Sequence, residues 1–276
     1  METIGLDKEE LLDLYNTDLE TLLELSSQYM SKNIEFCSLV NARSGKCSQN
    51  CKYCAQSSHY RTDIETYPLI DKEEVLKAAK EAKEYGVNHF AIVTSGKDPE
   101  EENFDKIIEL IQEINKVDGI SSCASIGILN EEDAKKLADA GLKRFHHNIN
   151  TSQSYYPEVC TTHTWEDRVN TCKLVKKYGM ELCCGVILGM GETVEQRIEM
   201  AMELAEIQPD SIPINILMPI PQTPFENYGD KIDEENILRT LAVFKIANPN
   251  SVLRFCGGRL RLSEKNQELA LKTCVE

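Results

Sequence analysis

Ser44-Gly45-Lys46-Cys47-Ser48-Gln49-Asn50-Cys51-Lys52-Tyr53-Cys54-Ala55-Gln56-Ser57 sets three cysteines at Cys-x3-Cys-x2-Cys spacing. Three thiolates on one short loop can hold three corners of a cubane iron–sulfur cluster, whereas a ferredoxin-type or structural zinc site normally takes a fourth protein ligand close by. One iron is then left open, and an iron without a protein ligand is a place for a substrate. The competing reading is a zinc knuckle whose fourth ligand comes from elsewhere in the chain.

The chain of 276 residues is 41% hydrophobic and 28% charged, which suits one large core in a barrel or doubly wound domain. Lys plus Arg number 30 against 46 Asp plus Glu, a net charge of −16, and no basic run is long enough to track a phosphate backbone. Nucleic acid is therefore not an expected partner. Eleven cysteines, with no signal peptide or membrane span in view, point to a reducing cytoplasm and no membrane partner. Their odd number argues against a complete disulfide framework.

Outside the loop, residues 8–32 carry Leu11, Leu12, Leu14, Tyr15, Leu19, Leu22, Leu23 and Leu25 among acids, with Thr17 and Asp18 as a cap between two helical segments. This reads as a packing helix pair, an N-terminal helical extension over 1–34. From 35 onward short apolar strands (35–43, 89–95, 120–127, 143–150, 182–189, 211–218 and 251–257) alternate with amphipathic runs. These include Lys72–Tyr85, Asn103–Lys116, Glu131–Ala140, Trp165–Tyr178 and Val194–Ile207. Repeated βα units predict an α/β fold with a parallel sheet, a (β/α)8 barrel of the TIM type over 35–276 in a single domain 1–276. Only seven strands are countable, so the eighth strand of a full barrel is expected to be absent from this chain.

Side chains at i and i+2 of a strand face the same way. His146, Asn148 and Asn150 share a parity, as do Arg254 and Cys256, Ser121 with Cys123 and Ser125, and Cys37 with Asn41 and Arg43. Thiols, amides and an arginine are costly to bury without partners, so a bore lined by them is expected to hold something polar or metallic. Cys37 lies six residues before Arg43, about 20 Å deeper along the strand at ~3.3 Å per residue, beyond reach of the rim loop. Cys37, Cys123, Cys183 or Cys184, and Cys256 come from different strands and could meet on a second metal centre. The alternative is that they are small hydrophobes of the core.

The cysteine loop with its aromatic Tyr53 resembles the radical S-adenosylmethionine (SAM) enzymes. The longer run of motifs is similar to the biotin synthase family: the loop itself, His147-Asn148 with Thr151-Ser152, Thr161-Thr162-His163-Thr164, Gly189-Met190-Gly191-Glu192-Thr193, and Ile212-Pro213-Ile214-Asn215 with Pro219 to Pro224. The resemblance implies a [4Fe–4S] cluster on Cys47, Cys51 and Cys54, with SAM on its open iron and Tyr53 against the adenine. It also implies Asn148 and Asn150 at the SAM ribose, Gly189 and Gly191 in the cofactor site, and Asn148 and Asn215 on the ureido ring of dethiobiotin. Flat ureido groups need paired donors and acceptors, which amides supply. Position 150 usually carries an acid in the family, and an amide there lacks charge assistance. The implied reaction is radical insertion of sulfur into dethiobiotin, fed by a flavodoxin or ferredoxin-type reductant, in a homodimer, and the cysteine load with its exposed cluster chemistry points to an anaerobic host.

The family's auxiliary [2Fe–2S] site departs here, because its ligand positions fall on Ala91, Cys123, Cys183 and Arg254, and alanine cannot ligate. Cys37 and Cys256 stand where that form has serine. The implied set is Cys37, Cys123, Cys183 and Cys256, suited to a larger auxiliary Fe–S cluster with Arg254 as a neighbour. Parity alone leaves Cys184 open against Cys183. Cys160, Cys172 and Cys274 read as ordinary thiols, and His163 and Trp165 as helix entry behind a Thr164–Asp167 capping pair. Two alternatives remain: a related radical SAM enzyme of the hydrogenase-cofactor maturase or methylornithine synthase type, and an electron carrier or metal-stabilised binding protein.

Overall fold

The computed structural model describes residues 5–31, 36–99, 101–228 and 233–276. The ends of the expected extension 1–34 and the first residue of the expected strand 35–43 lie outside that set. The chain forms two compact units, Glu35–His147 with Cys160–Leu182, here the cysteine-loop unit, and Met1–Ile34 with Asn148–Val159 and Cys183–Glu276, the amide unit.

The cysteine-loop unit carries β1 (Cys37–Arg43), α3 (Lys72–Glu84), β2 (His89–Thr94), α4 (Glu101–Ile114), β3 (Ser121–Ser125), α5 (Glu131–Asp139), β4 (Arg144–His146), α7 (Trp165–Lys177) and the first two residues of β5 (Glu181–Cys183). The strands run parallel, and one register row reads Leu39, Ala91, Cys123, Arg144. The alternate positions Ile92, Ala124 and Phe145 are fully buried, as are Val75 and Ala79 of α3 and Ile111 of α4. That apolar face meets the helices, where each buried Ile or Phe contributes about 1.5–3 kcal/mol. The opposite face carries Ser121, Cys123, Ser125 and Asn41, as the parity argument expects.

The amide unit holds α1 (Lys8–Asn16), α2 (Leu19–Ser27), α6 (Tyr156–Val159), the last residue of β5, β6 (Val186–Leu188), α8 (Val194–Ile207), β7 (Ser211–Ile216), α9 (Glu234–Ala247), β8 (Val252–Phe255) and α10 (Glu264–Thr273). Asp7 and Asp18 cap the first two helices. These helices pack against α8, α9 and α10. This explains why α9 is apolar almost all round, with Ile237, Leu241, Val243 and Phe244 all buried. Its one buried cation, Lys245, is answered by Glu276 at 3.1 Å and the Ser251 carbonyl at 3.0 Å.

The run read as one strand over 182–189 is two short strands, β5 and β6, interrupted at Cys184-Gly185. A Cβ on Gly185 would overlap the Pro213 carbonyl, so the chain bends where only glycine fits. Eight strands are thus named where seven runs are expected, and among the described residues none follows Phe255.

On α8, Glu203 is buried and accepts the Gln153 amide at 2.8 Å, and burial, helped by Glu199 and Glu206, pushes its carboxyl up to about 8. A carboxyl raised in the fold contributes its stability below the unfolded value near 4.5 and loses it as pH climbs through 8. Glu203→Gln is expected to stabilise the protein at pH 8.5 by roughly 2 kcal/mol and to flatten the fall in Tm between pH 5 and 8. Thermal melts across that range check it.

Candidate active site

The cysteine loop leaves β1 through Gly45 and Lys46, both in left-handed backbone at φ 79° and 55°. A side chain on Gly45 would collide with Thr66. The turn is tied from several sides: the Gln56 side-chain oxygen accepts from the Gly45 amide, Ser44 donates to the Glu65 carbonyl at 2.7 Å, and Ser95 donates to the Gly45 carbonyl at 2.6 Å. Beyond it, Cys47 N–H bonds the Gln56 carbonyl and Cys54 N–H the Cys51 carbonyl, both at 3.0 Å. Cys47, Cys51 and Cys54 are free thiols of intermediate exposure, with Tyr53 in the turn between the last two. Three thiols on one backbone-fixed loop fit a three-cysteine cluster ligand set.

The zinc-knuckle question, and the reading of Cys160 as an ordinary thiol, meet an unexpected neighbour. Cys160 is 3% exposed, and its sulfur lies 3.6 Å from Cys51 Sγ and 3.1 Å from His163 Nδ1. One donor atom from each of Cys51, Cys160 and His163 falls within 4.8 Å of the others. As free thiols, Cys51 donates to the Cys160 sulfur, and that bond, followed by burial, pushes the Cys51 thiol up. Burial also raises Cys54. Thr164 does cap α7 in a box with Asp167, so the helix-entry reading of that stretch holds alongside the thiol contact.

Deeper on the polar face of this unit, Arg144 beside Cys123 is buried and pairs with Glu181 at 2.7 and 2.9 Å. Burial alone would raise Glu181, but Lys143 and Arg144 outweigh it and hold the carboxyl below its ordinary value. Cys123 Sγ lies 3.8 Å from His89 Nδ1. Cys37 stands two residues behind Leu39, the register partner of the Cys123 row. Register carries Cys37 through His89 to Ser121, two residues before Cys123 on the same strand face. Cys37 is exposed, which corrects the expectation that this thiol is buried in the bore.

In the amide unit, Asn148 Oδ1 accepts the Gly185 amide at 2.9 Å, and Asn215 donates to the Val186 carbonyl at 3.1 Å while accepting the Gly257 amide at 3.0 Å. The two amides are anchored on consecutive residues. Asn150 is buried at φ 69°, and its backbone bridges to Val186. Gly189 and Gly191 sit at φ 92° and 105° in a loop organised by Glu192, a residue whose role spacing did not reveal. Its carboxylate takes the Gly189 and Met190 amides at 2.8 Å and pairs with Arg197 at 2.9 Å. Tyr155 closes the loop on the Met190 carbonyl at 2.8 Å. Cys183 is in register with Ser211 and so with Val252. Arg254 and Cys256 follow Val252 at two and four residues, so Cys256 lies roughly 7 Å beyond Arg254 along the chain. Cys184 is fully buried and Cys256 half-exposed.

The polar strand face, the backbone-fixed three-cysteine loop and the parallel α/β fold define a radical SAM enzyme. Residues 42–205 match the radical SAM superfamily and residues 213–276 the biotin and thiamin synthesis associated domain. The chain belongs to the biotin synthase family. It is 48% identical to biotin synthase of Acetivibrio thermocellus over 241 residues, covering 87% of this chain and 75% of that one. Against biotin synthase of Clostridium perfringens it is 43% identical over 266 residues, covering 95% and 83%. The fold is also that of methylornithine synthase, at TM-score 0.81 and 20% identity over 97% of this chain and 80% of that one. It is thus a sulfur-inserting radical SAM enzyme whose family uses a [4Fe–4S] cluster, SAM and an auxiliary Fe–S cluster, with dethiobiotin as substrate. Among the described residues no helix is long and apolar enough to cross a membrane.

Proposed function

We propose that Cys47, Cys51 and Cys54 hold the SAM cluster, that Tyr53, Asn148, Asn150, Gly189 and Gly191 form the SAM cradle, and that Asn148 and Asn215 hold the ureido group of dethiobiotin. The bound cofactors supply the radical chemistry and the sulfur, while the chain positions the reactants and excludes water. Cys37, Cys123, Cys183 and Cys256 are the proposed auxiliary thiolates, with Arg254 as the cationic neighbour. A flavodoxin or ferredoxin-type protein is the proposed reductant, and the working form a cytoplasmic homodimer in which residues 1–34 extend a barrel of 35–276.

The observation that carries the substrate assignment is the anchoring of Asn148 and Asn215 on Gly185 and Val186, which supports paired amides against one planar group. Asn215→Ala is expected to weaken dethiobiotin binding about tenfold in calorimetry of the reconstituted protein, the worth of one or two neutral hydrogen bonds, without loss of cluster iron. Unchanged affinity would overturn it.

A further inference from the structure

Four residues of a distant segment, Cys160-Thr161-Thr162-His163, are fastened to the cysteine loop. Asn50 Nδ2 donates to Thr161 Oγ1 at 2.7 Å and the Asn50 amide to Thr162 Oγ1 at 3.0 Å. Asn50 Oδ1 accepts the Thr161 and Thr162 amides at 3.0 and 3.3 Å and the Thr162 hydroxyl at 3.1 Å. The buried Gln49 meets His163 Nδ1 at 3.0 Å. This network brings the Cys160 sulfur to 3.6 Å from that of Cys51. Cys172, another buried thiol of this unit, donates to the His147 carbonyl at 3.5 Å.

We propose that Cys160 donates an S–H hydrogen bond to the cluster-bound sulfur of Cys51 and thereby raises the reduction potential of the SAM cluster. The proposal rests on the assignment of Cys47, Cys51 and Cys54 as ligands. An iron-bound thiolate is only an acceptor, so the proton of this sulfur contact belongs to Cys160. With Gln49 Oε1 as its acceptor, His163 Nδ1 carries a proton that also points to the Cys160 sulfur at 3.1 Å. The other nearby acceptors are already engaged: Asn50 Oδ1 at 3.3 Å takes three donors, and Thr162 Oγ1 at 3.5 Å takes the Asn50 amide. The Cys160 proton is left to Cys51. A donor on a ligand sulfur draws off electron density and favours the reduced cluster, one of the levers by which proteins set such potentials. Cys160 is thus a positioning residue for charge, acting through Cys51.

The test is an EPR-monitored redox titration of anaerobically reconstituted protein, comparing wild type with Cys160→Ala, Cys160→Ser and, as a control, Cys172→Ala. Cys160→Ala is expected to shift the midpoint to more negative potential, cutting the ratio of reduced to oxidised cluster at a fixed potential about tenfold, which is about 59 mV for one electron. Cys160→Ser, which keeps a hydroxyl donor, should fall between Cys160→Ala and wild type, and Cys172→Ala should not move. A full cluster at the wild-type potential in Cys160→Ala would overturn the proposal. If that variant does not fold, Cys160→Val, close in volume and without a donor, takes its place under the same criterion. A Cys51→Ala protein that keeps all its iron would instead sink the ligand assignment, an outcome distinct from an unmoved potential.

Discussion

Cys51→Ala is expected to remove the rim cluster and reduce SAM cleavage to background, a fall of at least about a thousandfold, on the scale of deleting a catalytic group. The loop around it is held by backbone hydrogen bonds from Cys47 to Gln56 and from Cys54 to Cys51, which do not involve the Cys51 thiol, so the fold should survive the change. Iron and sulfide counting together with 5′-deoxyadenosine assay checks this. Iron content equal to wild type would place the cluster on other residues.

The second large effect is expected from Cys37→Ala combined with Cys256→Ala. Cys37 shares a strand face with Cys123, two residues behind its register row, in one unit, and Cys256 lies two residues beyond Arg254 in the other. Removing both should take away the auxiliary iron and drop biotin formation below about one per cent, a loss set by missing thiolates that nothing on the same strands replaces. Cleavage of SAM should continue, because the rim loop is untouched. Mössbauer spectroscopy separates the two iron populations. Unchanged auxiliary iron would return both residues to the role of core thiols, for which the exposure of Cys37 already offers little packing reason.

The alternation of strands and helices was legible because α3, α4, α5, α7 and α8 each carry a buried stripe at helical spacing. The rim loop was legible because its ligands are local in sequence. Two features were not. The break at Cys184-Gly185 hides inside an apolar run, since the glycine is required by the Pro213 carbonyl, a contact from another strand. The meeting of Cys160 with Cys51 joins positions 109 apart, and periodicity reports only on neighbours within one element. A signal did exist: Cys160-x2-His163 is ligand-like spacing. The local capping box of Thr164 and Asp167 gave an equally good account of that stretch, and both accounts describe what is there.

The fastening of Asn50 to Thr161 and Thr162 also bears on biogenesis. During synthesis the cysteine loop leaves the ribosome 109 residues ahead of Cys160, which at about 5–20 residues per second is roughly 5–20 s. Through that interval the three thiols emerge without the segment that later shields Cys51. Delivery of iron and sulfide to the nascent chain would meet an open loop, and delivery after release would meet one already fastened through Asn50 to Thr161 and Thr162.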